Sequence, residues 1–111
     1  MTMPTQKTVN TKLKTLSFPV EFDHVKVGTK VPFGEYTFSV TPVSADDKVL
    51  IKGFEYDLNI YVTKLDSKID AEVEKMFDDL EIVWTRSEPT YIEDSKCYQI
   101  TYQFGFVGDA A

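Results

Sequence analysis

The chain has 111 residues, with 42% hydrophobic, 14% aromatic and 27% charged residues, a formal net charge of −6 and a pI near 4.7. That is enough apolar material for one folded domain and too little length for two. The negative charge argues against gripping nucleic-acid phosphates, and no run of about 18 apolar residues exists to cross a membrane. The leading segment MTMPTQKTVNTKLK has no apolar run and does not read as a secretory signal. Cys97 is the only cysteine, so the chain holds no internal disulfide, in keeping with a reducing compartment.

The first predicted element is a helix within residues 1–16. Val9, Leu13 and Leu16 recur at i, i+4 and i+7 and give it a thin apolar stripe. Residues 17–34 carry two prolines and two glycines and read as an extended connection, with a short strand at about 19–26. A strand is expected over 35–41, with Tyr36, Phe38 and Val40 on one face, ending at Pro42. Residues 42–50 then read as a polar loop, in which Asp46 and Asp47 favour a turn.

The clearest pattern follows. Phe54, Tyr56, Leu58, Ile60 and Val62 alternate with Glu55, Asp57, Asn59, Tyr61 and Thr63, so a strand over about 49–64 has one apolar and one wetter face. Gly53 marks a bulge or bend within it. A helix is predicted over 66–80 from Ile69, Val73, Met76, Phe77 and Leu80, with Ser67 and Asp70 spaced as a capping box. Its outer face holds Asp70, Glu72, Glu74, Asp78 and Asp79. A strand at 81–87, an interruption at Glu88 and Pro89, a turn at 93–95 and a strand at 96–107 complete the pattern, and residues 105–111 read as a frayed tail. The expected fold is one α+β domain over 1–111. It has an antiparallel or mixed sheet of about four strands with two helices on one face, in the order α-β-β-α-β-β.

No catalytic constellation emerges, and the expectation is a protein that is not an enzyme. His24 beside Asp23 is the one histidine–carboxylate pair, but neighbours in an extended segment point apart, so a turn or packing role is the better reading. Cys97 reads as a small buried hydrophobe, although its parity, opposite the aromatic face, allows partial exposure. The acids from Asp66 to Glu81 lie along a helix rather than in a glycine-containing loop, so they read as a solvated face and not a calcium site. One histidine and one cysteine make no structural zinc site, and no phosphate-cradling glycine loop is present. No cofactor is expected. Lys7, Lys12 and Lys14 form a small basic patch suited to an acidic protein surface. Trp84 and Tyr91 fit a core or a sheet edge; Tyr61 lies off the apolar parity. The candidate subunit interface is therefore Tyr61, Asp46, Asp47, Trp84 and Tyr91.

One further set of residues stands in a fixed order: Pro19 with Val20, the run Phe22, Asp23 and His24, then Ala45, Asp46 and Lys48, Tyr61 with Lys64, the run Tyr91, Ile92 and Glu93, and Tyr98 with Gln99. In this set, over residues 17–104, the chain resembles the tail-completion proteins of tailed phages and prophages of Gram-positive bacteria. The resemblance implies a tail terminator or tail-to-head joining protein that forms a ring, commonly a hexamer, between the major tail protein and head-completion proteins. It implies location in the virion, with assembly in the host cytoplasm, and DNA passing through the ring without specific binding. It supplies no active-site residues. The alternative from the residues alone is a small cytosolic module that binds a ligand or a protein without catalysis, or another minor head–tail connector component.

Overall fold

A computed structural model describes residues 5–45 and 48–109. Asp46 and Asp47, two of the candidate interface residues, lie outside the described residues. The architecture is α+β: two helices and a six-stranded mixed sheet, in the order α1 (Gln6–Lys14), β1 (Val20–Phe22), β2 (Phe33–Ala45), β3 (Lys48–Val62), α2 (Ser67–Leu80), β4 (Trp84–Arg86), β5 (Thr90–Ile92) and β6 (Cys97–Asp109). Across the sheet the order is β1-β2-β3-β6-β4, with β5 also on β6. β1 pairs parallel to β2, and every other pairing is antiparallel.

The alternation over 54–62 decides where the core lies. Phe54, Tyr56, Leu58, Ile60 and Val62 are all buried, and in register with them lie Tyr102, Phe104 and Ile100 of β6. Tyr56 stands between Phe38 and Phe104 at centroid distances of 5.2 and 5.0 Å, and Phe54 stacks on Phe106 at 4.9 Å. Such cross-strand aromatic pairs stabilise a sheet by about 0.2–1 kcal/mol each. Both helices cover this face. Asn10 of α1 accepts a hydrogen bond from the Tyr56 hydroxyl, and Phe77 of α2 packs on Phe104 at 4.6 Å; Tyr56 and Phe104 are directly paired. The expected two helices on one face are therefore present.

Local chemistry sets the helix ends. The Thr5 hydroxyl caps α1 by accepting from the Thr8 N–H. For α2 the cap is Asp66, whose carboxylate accepts from the Lys68 N–H, and not the expected Ser67–Asp70 box. Asp70 is drawn away instead to Arg86 and the Tyr102 hydroxyl.

Several expectations are corrected. The sheet has six strands rather than about four, because β1, β4 and β5 are three-residue edge pieces. The run 42–50 is largely strand: β2 continues through Pro42 to Ala45, and β3 begins at Lys48. Pro42 does not end β2 for a specific reason. The Gly34 N–H donates to Pro19 O at 2.8 Å and Tyr36 O accepts from the Asp23 N–H at 2.8 Å, so even-numbered residues of β2 aim their backbone groups away from β3. Pro42 has the same parity, and its missing N–H costs no bond to β3. Gly53 is no bulge: it pairs regularly with Thr41 and Val107, and the register shift falls between Val43 and Ser44. Residues 105–109 are not a frayed tail but the end of β6, paired with 51–55 of β3.

These corrections share a geometric result. The molecule measures 51 × 26 × 22 Å, and a 15-residue β3 at roughly 3.3 Å per residue spans that long axis. At one end β1, β4 and β5 widen the sheet beneath the helices. At the other, among the described residues, β2, β3 and β6 continue alone as a three-stranded blade.

Candidate functional site

The wetter face of the sheet opposes the helices. Glu35, Asn59 and Thr101 align across β2, β3 and β6, as do Thr37, Asp57 and Gln103. Asn59 binds this face together by accepting from Thr101 Oγ1 at 2.6 Å and Gln99 Nε2 at 3.1 Å.

Tyr61 lies on this face at the wide end, its ring 4.9 Å from that of Phe33. Both line a cavity of about 590 Å³ with Thr29, Lys30, Val31, Ser95 and Cys97. Burial, reinforced by the Glu35 carboxylate, raises the Tyr61 phenol above its ordinary pKa. Cys97 is 3% exposed at the cavity wall, in accord with its reading as a small buried hydrophobe, and the partial exposure that its parity allowed is absent. The cavity offers aromatic surface, hydroxyls and one lysine, a set suited to holding a small polar ligand.

The other candidate residues sit elsewhere. Trp84 pairs with Phe104 on the helix side and packs against Phe77 and Tyr102 at 5.9 and 5.6 Å. Tyr91 is half exposed on β5, edge-on to Tyr98 at 5.1 Å. Tyr61, Trp84 and Tyr91 thus occupy the open face, the core margin and a sheet edge, and do not form one surface.

His24 and Asp23 do meet, with Nδ1 and Oδ2 2.9 Å apart, contrary to the expectation that they point apart. The reason is that Asp23 adopts φ 68, which turns the chain there. Both side chains are largely exposed. The acidic face of α2 is less uniformly solvated than expected. Glu72 accepts from both the backbone N–H and the hydroxyl of Ser17, each at 2.6 Å, and Asp70 holds Arg86 and Tyr102. Among the described residues, no group of three or more His, Cys, Asp or Glu side chains could hold a metal ion. No described helix is long and apolar enough to cross a membrane.

The sequence reading missed the sheet margins. Beyond Tyr36, β2 has no described partner on its outer side, and β4 stops opposite Phe104, leaving the end of β6 on the rim. Exposed apolar side chains mark the same margins: Phe22 and Val27 near β1, Val83 and Tyr91 near β4 and β5, and Val40 and Val107 on the blade. The chain matches no protein-family model, and no curated protein matches it in sequence.

Proposed function

We propose that the chain is a structural virion protein that terminates the phage tail or joins it to the head-completion complex, acting as an oligomeric ring and not as an enzyme. Its partners in this reading are copies of itself, the major tail protein and a head-completion protein. The blade is the observation that carries it. A three-stranded extension with two open edges and exposed Val40 and Val107 is a liability in an isolated chain and an asset in an assembly. The resemblance over residues 17–104 supplies the particular assembly. The acidic balance suits a ring through which DNA passes without adhering.

The test is electron microscopy of particles assembled with and without the protein. Tails lacking it are expected to be irregular in length or unjoined to heads, and purified protein is expected to restore them. Normal particles in its absence refute the reading.

One observation favours the alternative of a small binding module: the Tyr61 cavity, with Lys30 and paired aromatic rings at its wall. A small molecule that raises the melting temperature of wild type but not of Tyr61→Ala would support that reading, which a connector ring does not require.

A further inference from the structure

The sheet ends laterally in two margins of opposite character. On the β1 side, Lys14 of α1 reaches Glu21 of β1 at 2.9 Å, so this flank of α1 faces the sheet margin. Lys7 lies two helical turns earlier on the same flank. The loop leaving β1 adds Lys26 and the fully exposed Val27. Residues 5–31 hold five lysines against two acids.

On the far side, Asp70 of α2 reaches Arg86 of β4, which turns that flank of α2 outward over β4. Glu74 and Asp78 continue it at steps of four residues, and neither has an ion-pair partner among the described residues. Val83 is 85% exposed just before β4, and Tyr91 is exposed on β5. Residues 66–96 hold ten acids against four basic residues. Each margin thus pairs exposed apolar side chains with a rim of predominantly one charge, and the net charges of the two rims are opposite in sign.

We infer that copies of this chain associate head to tail, the α1–β1 margin of one against the α2–β4–β5 margin of the next. A two-fold contact would set like charge against like charge at either margin, whereas a heterologous contact pairs lysines with carboxylates and closes into a ring if the rotation closes. This rests on the ring-forming reading and adds to it the surface and polarity of the contact.

The experiment uses two full-length variants, each changed at exposed positions only. Lys7→Glu with Lys26→Glu leaves both margins with a net negative charge; Asp78→Lys with Glu88→Lys, Glu93→Lys and Asp94→Lys gives residues 66–96 six acids against eight basic residues, so that both margins are net positive. Sedimentation measures self-association of the 12.7 kDa chain at low salt, up to about 1 mM. Wild type is expected to associate, and to do so more weakly as salt rises from about 50 to about 500 mM. Each variant alone is expected to associate roughly tenfold more weakly or worse. An equimolar mixture of the two is expected to recover, because acidic and basic margins then alternate between copies. Circular dichroism melts confirm that both variants fold. Association unaffected in either variant, or lost in both but not recovered on mixing, overturns the inference. A wild-type chain that stays monomeric throughout also overturns it. None of these results bears on whether the protein completes tails, which the particle assay decides separately.

Discussion

Replacing Asp70 with alanine should cost far more than replacing Glu74, although both sit on the charged surface of α2. Asp70 is only 24% exposed in its side chain, pairs with Arg86 at 3.2 Å and accepts the Tyr102 hydroxyl at 2.5 Å, while Tyr102 is wholly buried. A hydrogen bond to a charged group contributes about 1.5–3 kcal/mol. The partly exposed ion pair adds up to about 1 kcal/mol. Asp70→Ala should therefore lose about 2–4 kcal/mol, a fall in melting temperature of roughly 8–16 °C for a domain of this size. Glu74→Ala should stay within about 0.5 kcal/mol of wild type. Tyr102→Phe should cost about 1.5–3 kcal/mol, the share of the hydrogen bond alone, and the double variant Asp70→Ala with Tyr102→Phe should lose less than the two singles added, because both remove the same bond. Guanidinium melts of the four proteins suffice. Equal effects of Asp70→Ala and Glu74→Ala, or strict additivity in the double variant, would refute the view that Asp70 locks α2 to the sheet.

Alkaline pH should unfold the protein in a defined window. Burial pushes the Tyr56 phenol up to about 12 from an ordinary 10, so the neutral form is favoured in the fold. Its contribution is complete below pH about 10 and is lost as pH rises towards about 12; Tyr56→Phe should flatten that part of a urea-midpoint profile against pH. Pro42→Val should restore an N–H donor to the open edge of β2 and promote aggregation with little change in melting temperature, as light scattering during storage would show. Tyr61→Asp is expected to impair assembly on tails more than folding, since Tyr61 lies on the open face; a large thermal loss with intact assembly would contradict this.

The parts of the fold readable from sequence are those that a single buried face imposes. β3, the core of β6 and α2 each place apolar residues at one strict period because one side meets the core, and Phe54 to Val62 and Ile69 to Leu80 show it plainly. The blade beyond the helices has no such constraint, so residues 42–50 look like a polar loop and residues 105–109 like a tail, though 42–45, the start of β3 at Lys48 and 105–109 all belong to paired strands. Pro42 reads as a terminator until the direction of its neighbours' hydrogen bonds is known. The three-residue edges β1, β4 and β5 are too short for periodicity to register. The functional surface was less legible. Tyr61 lies off the core parity as its pattern suggests but is partly buried in the cavity wall; of the two residues that fit a core or an edge, Tyr91 takes the edge and Trp84 closes the core over Phe77, and only topology brings Lys7 and Glu74 to opposite margins.

A hairpin that outruns its helices is also an adjustable dimension. Each pair of residues inserted into or removed from both β2 and β3 keeps every side chain on its own face and leaves the positions beneath the helices untouched. Such an indel shifts the tip by about 7 Å. Drift in one hairpin alone could therefore fit the chain to a longer or shorter neighbour in an assembly, with the core and its stability unaltered. Single-residue changes would invert the blade's two faces and should be selected against.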